Sequence, residues 1–315
     1  MNLASKLLAP GGAVLLYGTT PPREGSAEEA VRFAAQRLGE RVRRLPLDGL
    51  VVYDLQDESS RTPLPRPFPF SRTLDSRLYS KLLATLTGLP AITYHSIGQA
   101  TEEEWRRWLD ETGREPGLRL LSIVGRPSSK GAHYAMPLLR AFEIAAAHRC
   151  GYTLGGVAIA ERHRAAASES RRMLEKARAG CRFFVSQTVY HAGPTVRLLA
   201  DYVRDCAQAG TPPRRVILTF APCGREKTMA FIKWLGIEVP EATERAILDA
   251  PDPLAKSIAI CRDNLREILE QDYLGRLPLG LNIESVSINR DEIDASVELF
   301  HTLAEVLLRY LPAAS

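Results

Sequence analysis

Nowhere in these 315 residues does an apolar run approach the ~20 residues that a membrane-spanning helix needs, and the amino terminus lacks a signal peptide's order of charge, apolar run and cleavage site. No membrane partner is expected. Cysteine is sparse: Cys150, Cys181, Cys206, Cys223 and Cys261 are widely spaced, odd in number and form no C-x-x-C or C-x-x-H pair. That excludes a disulfide framework and the usual zinc spacings, and suits reduced thiols in a cytoplasmic protein. Long blocks of like charge are also missing. The 41 basic and 37 acidic residues are interspersed, and their net charge of +4 argues hardly at all for nucleic acid and weakly for small anions. After the first apolar run there is no G-x-G-x-x-G, the turn that a dinucleotide-binding open sheet would offer.

What the chain does have is alternation. Short apolar runs at Ala13–Tyr17, Leu50–Leu55, Pro90–His95, Leu118–Val124, Thr153–Ile159, Arg182–Thr188, Arg215–Phe220 and Gly280–Ile288 are each followed by a helical pattern. Strict strand-then-helix order requires parallel pairing with crossovers. Eight such units, with no composition shift to mark a boundary, predict one (β/α)8 barrel over residues 1–315. Ser26 to Glu29 and Thr101 to Glu104 have the form of capping boxes, and Trp105 and Trp108 at i, i+3 are expected to pack on the sheet. Prolines 63, 65, 67 and 69 make residues 62–73 an extended excursion, read as a stiff connector rather than a lid.

In a parallel barrel the carboxyl ends of the strands share one face, where the chemistry gathers. Those ends bring together Asp54, Asp57 and Glu58; Tyr94 and His95; Arg126; Glu161 and His163; Gln187 and Tyr190; Phe220; and Arg290. Gln187 is the sharpest signal, because an amide that closes the apolar run FFV must find partners. His95 reads equally as a packed core histidine, and Glu161 is expected to orient the ring of His163. Arg290 is either a helix-end cation or a clamp for a carboxylate. The acidic trio lacks a paired histidine, so no metal is expected. The loop Gly125–Gly131, with two hydroxyls and two cations, has a composition suited to phosphate.

Five segments carry a family resemblance: Thr20-Pro-Pro-Arg23, Val157-x-x-x-Glu-x-His163, Glu175-Lys-Ala-Arg-Ala-Gly180, Val185-Ser-Gln-Thr188 and Ile288-Asn-Arg290. In order and in place they resemble the methylenetetrahydrofolate reductase family, flavin-dependent (β/α) barrels that reduce methylene-tetrahydrofolate to methyl-tetrahydrofolate. The resemblance implies hydride transfer between FAD and a folate-bound one-carbon unit, in either direction. It gives Tyr94, His95, Arg126, His163, Glu169, Arg172 and Lys176 to the cofactor, and Gln187, Tyr190, Phe220 and Arg290 to the tetrahydrofolate derivative. NAD(P)H would share the same mouth, and a homo-oligomer is compatible with it.

Two departures matter. The family's general-acid glutamate, three residues before its Pro-Pro, is Gly18 here, and its flavin-contacting aspartate falls at Pro127. Asp54, Asp57 or Glu58, on the neighbouring strand, is expected to supply the missing carboxyl. The alternatives are a folate-binding barrel without redox chemistry that serves as a partner subunit, or a flavin-independent folate one-carbon enzyme.

Overall fold

The computed structural model describes residues 1–57, 64–98, 100–125, 135–164, 168–273 and 275–311. Among them, eight parallel strands close into a barrel: β1 (Leu15–Thr19), β2 (Gly49–Val52), β3 (Ala91–Ser96), β4 (Leu120–Val124), β5 (Thr153–Ala158), β6 (Cys181–Thr188), β7 (Arg215–Phe220) and β8 (Leu279–Ile283). The β1–β8 pairing, Leu15 on Leu281 through Tyr17 on Ile283, closes the ring. Helices α2 (Glu28–Val42), α3 (Ser76–Thr87), α4 (Glu102–Arg114), α5 (Leu138–Ala146), α6 (Glu169–Arg178) and α7 (Ala192–Gln208) follow the first six strands. Three helices, α8 (Glu226–Trp234), α9 (Glu241–Leu248) and α10 (Pro253–Leu269), fill the interval between β7 and β8, and α11 (Arg290–Tyr310) ends the described chain. The (β/α)8 expectation holds.

Two cores follow from the strand period of two. Outward residues such as Leu15, Leu50, Leu121, Phe184 and Leu218 pack against the helices, while inward Leu16, Val51, Ile92, Leu120, Phe183, Val185 and Ile217 fill the lower barrel. A short helix, α1 (Leu3–Leu8), plugs the bottom by adding Leu3 and Leu7 to that inner cluster. Buried Arg215 ties the plug down. Its guanidinium donates to the carbonyls of Ala9 (2.9 Å), Gly11 (2.9 Å), Gly12 (2.7 Å) and Leu279, and burial lowers its pKa to about 10. Gly155 is small for a packing reason: a Cβ there would lie 2.3 Å from the ring of Phe183, which occupies the barrel interior.

Some local expectations change. Thr101 and Glu104 form the predicted capping box on α4. At α2 the N-cap is Ala27, with no side-chain cap, so the Ser26 box does not form. The last strand stops at Ile283 rather than Ile288. Asn282 and Glu284 interrupt the apolar run, and the chain leaves the sheet at Glu284, reaching an exposed Ile288 before Asn289 caps α11.

Candidate functional site

The upper barrel is polar where the lower barrel is apolar. Above Val51, Ile92, Leu120 and Ile217, the next inward positions are Tyr53, Tyr94, Ser122 and Thr219, and β8 adds buried Asn282. Tyr53 and Tyr94 reach the floor of a cavity of about 390 Å³ at the carboxyl ends of the strands, while Ser122, Thr219 and Asn282 are buried and do not line it. Its walls come from Gly18 and Thr19, Asp54, Ser96, Val157, Gln187 and Thr188, Phe231 and Trp234 of α8, and Glu284. A concave, partly aromatic mouth with convergent polar groups is the setting for a small-molecule site.

One hydrogen-bonded group runs across the floor. Asn282 Nδ2 donates to Tyr53 Oη (2.9 Å) and approaches Thr219 Oγ1 (3.3 Å). Thr188 Oγ1 donates to Glu284 Oε1 (2.9 Å), and the Tyr53 side chain is near enough to Glu284 for each to influence the other's titration. Tyr53 also meets Tyr94 edge to face, with ring centroids 4.9 Å apart. Burial raises the pKa of Glu284 from its ordinary value and pushes Tyr53 and Tyr94 further into their neutral forms. The two tyrosines stay neutral, and Glu284 is the carboxyl nearest to them.

The wall charges have fixed surroundings. Asp54 Oδ2 accepts from the Ser96 backbone N–H (2.8 Å) and Oδ1 from Gln56 (2.9 Å); burial is the larger effect and raises its pKa. Lys176 reaches the cavity from α6, donating to Val157 O (2.8 Å) and lying 3.4 Å from Glu169 Oε1. Gln187 finds the partner its burial demands, since its Nε2 donates to Leu235 O (2.8 Å) just beyond α8.

The proline-rich excursion crosses to the far side of the mouth. Trp234 Nε1 donates to Leu64 O (3.1 Å), and Phe68 packs edge-on against Phe231 at 5.2 Å. The Arg66 guanidinium lies 5.1–5.5 Å from the ring centroids of Phe70, Phe231 and Trp234, and Arg66 lines the cavity. Residues 64–70 are thus a strap from β2 to α8 and not merely a connector. Thr62 and Pro63 lie outside the described residues.

The residues selected from sequence are only partly brought together. Asp54, Tyr94, Lys176 and Gln187 line the cavity, whereas Asp57 is exposed away from it and Glu58 and Arg126 lie outside the described residues, as does most of the Gly125–Gly131 loop. Tyr94 and His95 alternate across the sheet, so His95 faces outward. It stacks on Trp108 (4.0 Å) and Trp105 (5.4 Å), and burial lowers its pKa to about 4. His163 opens onto a groove outside the barrel, its Nε2 2.9 Å from Asp201 of α7; Asp201, and not Glu161, orients the ring. Glu161 instead accepts from the Glu238 backbone N–H (3.3 Å). Arg172 lines the same outer groove, and Glu169 is buried between Arg172 and Lys176. Tyr190 and Phe220 are core residues, Tyr190 donating to Ala221 O (2.5 Å). The Arg290 side chain is 87% exposed and pairs with Asp294 along α11.

Sequence reasoning missed Tyr53, Thr188, Asn282 and Glu284. The signal was there in GLNIES: two polar residues at i, i+2 where an apolar strand ends point into one interior. Placing the strand end five residues later drew attention to Arg290 instead.

A scan against protein-family models finds no match, and neither does a search of curated proteins. Among solved structures, the chain is similar to an uncharacterized protein from Clostridium thermocellum that binds two copies of 5-methyl-5,6,7,8-tetrahydrofolic acid. The TM-score is 0.81 and the identity 32%, over 96% of this chain and 99% of that one. The Bacillus cereus spore cortex-lytic enzyme SleL matches with a TM-score of 0.50 and 10% identity, over 93% of this chain and 74% of that one, which is a likeness of fold alone.

Proposed function

The chain belongs to the family of the Clostridium thermocellum protein, and from that premise we propose that it binds a reduced folate of the 5-methyl-tetrahydrofolate class in the mouth of its barrel. The observation that carries this reading is the near-complete overlap with a folate-binding relative, together with a cavity whose chemistry suits a pterin. Amide, hydroxyl and carboxyl groups from Gln187, Thr188 and Glu284 answer the donors and acceptors around a pterin ring, while Tyr53, Tyr94, Phe231 and Trp234 supply aromatic surface. Arg66, Arg162 and Lys176 on the walls suit the carboxylates of the folate tail.

Hydride transfer through FAD, which the resemblance to methylenetetrahydrofolate reductases implies, finds less support. Of His163, Glu169, Arg172 and Lys176, only Lys176 lines the mouth; His163 and Arg172 line the outer groove and Glu169 is buried behind. These four side chains do not make a flavin cradle. We therefore favour a flavin-independent folate one-carbon protein. Titration with 5-methyl-tetrahydrofolate, followed by tryptophan fluorescence from Trp234, is expected to saturate, whereas FAD added in excess is expected to leave on gel filtration. A retained yellow flavin band would overturn the flavin-independent reading, and a flat folate titration would overturn folate binding itself.

A further inference from the structure

Gly18 and Glu284 compete for one space. A Cβ built on Gly18 would lie 3.0 Å from Tyr53 Cε2, 3.1 Å from Tyr53 Oη and 3.2 Å from Glu284 Cβ. Contacts this close mean that a side chain on β1 would press on Tyr53 and Glu284 and require them to give by a few tenths of an ångström. The carboxyl that enters the floor at this corner comes from the end of β8, and the end of β1 is bare so that it can.

The surroundings of Glu284 specify its orientation without fixing it as an anion. Thr188 donates to the Glu284 carboxyl at 2.9 Å, and the Tyr53 hydroxyl, which accepts from Asn282, stands near it. Among the described residues, the other titratable and charged groups of the cavity are Tyr53 and Asp54 after β2, Tyr94 on β3, Arg162 after β5, Lys176 on α6 and Arg66 on the strap. Burial raises the Glu284 pKa, and the neighbouring Tyr53 and Thr188 hydroxyls oppose the rise without cancelling it.

We propose that Glu284 is the proton donor of this site, presenting a protonated carboxyl to a ring nitrogen of the bound folate. This rests on the mouth being the folate site. In the transfer the carboxyl O–H bond breaks and an N–H bond forms with the nitrogen's lone pair. The electrons of the broken bond stay on Glu284, whose carboxylate is then held by the Thr188 hydroxyl. Charge and atoms balance with no further reactant, and the reverse transfer restores the starting state. Removing such a group costs typically ~100- to 10,000-fold in a rate that depends on it.

Two measurements on the full-length protein test this without a turnover assay. In infrared difference spectra against Glu284→Gln, ligand-free protein at about pH 6, where an ordinary glutamate (~4.3) is ionised, should show a protonated-carboxyl band that the variant lacks. The affinity for 5-methyl-tetrahydrofolate should fall by up to about tenfold per pH unit above the Glu284 titration. In Glu284→Gln, which keeps a neutral donor, the affinity should be flat with pH and within about threefold of the wild-type low-pH value. The double variant Gly18→Glu with Glu284→Gly, which returns the carboxyl to β1, should restore the pH dependence. A missing infrared band, or a wild-type pH dependence that survives in Glu284→Gln, would overturn the proposal and leave folate binding standing. Wild-type protein that shows the band but binds no 5-methyl-tetrahydrofolate at any pH would instead overturn the folate reading and the proposal with it.

Discussion

Lys176→Met separates a structural role for the α6 lysine from a ligand-binding one. Lys176 is buried, donates to Val157 O and lies 3.4 Å from Glu169, whose side chain is 2% exposed. Removing one member of a buried ion pair leaves the other uncompensated, which costs ~3–5 kcal/mol. Arg172 still approaches Glu169 at 3.5 Å, but it is half exposed and holds it weakly, so the net loss is placed near ~3 kcal/mol. With an unfolding entropy of ~2.1 cal/mol/K per residue over 315 residues, Tm should fall by roughly 4–5 °C. Adding Glu169→Gln removes the stranded charge, and the double variant should recover at least half of that loss in scanning calorimetry. A Lys176→Met protein that melts with the wild type yet no longer binds 5-methyl-tetrahydrofolate would refute the reasoning, because the lysine would then be held for the ligand and not for Glu169.

Other expectations follow from particular contacts. Gly18→Ala should cost ~1–3 kcal/mol by crowding Tyr53 and Glu284, read as a lower Tm together with weaker folate binding; an unperturbed protein would mean that the floor is slack. Gln187→Ala should weaken folate binding by about 3- to 10-fold, the worth of one neutral hydrogen bond, and unchanged affinity in calorimetric titration would remove Gln187 from the site. Arg290→Ala should leave folate affinity unchanged, since its side chain is 87% exposed on α11; a loss above threefold would reinstate it as a clamp. His95 is a base whose folded pKa, about 4, lies below its unfolded value near 6.5, so the unfolded chain takes up the proton first. Stability should therefore be insensitive to His95 above about pH 6.5 and decline by up to about 3 kcal/mol as the pH falls towards 4. His95→Phe should flatten that part of the pH–stability curve.

The alternation of strand and helix was readable because each apolar run is short, β-rich and followed by a capped or amphipathic helix. Eight such units leave few closed arrangements. Which residue of a strand end enters the mouth was harder to read, because it depends on strand parity. Tyr94 enters and His95 does not; Tyr53 enters although the acidic residues after it drew the attention. The sequence supplies the parity only if the strand's last paired residue is known, and at β8 an error of five residues exchanged Glu284 for Arg290. The expected replacement for the carboxyl absent at Gly18 was sought on β2, one neighbour of β1. The group that fills its space stands at the end of β8, the other neighbour, and only barrel closure makes those two strands adjacent. His163 shows a second ambiguity: a histidine after a strand can turn outward over the helix layer, where Asp201, thirty-eight residues on, meets it.

The most direct test of the central claim is a crystal structure of the protein soaked with 5-methyl-tetrahydrofolate. The account predicts pterin density on the barrel floor, within hydrogen-bonding distance of Glu284 and beside Gln187, with the glutamate tail directed towards Arg66 and the strap. A folate bound only in the outer groove beside His163 and Arg172, with the mouth filled by solvent, would contradict it.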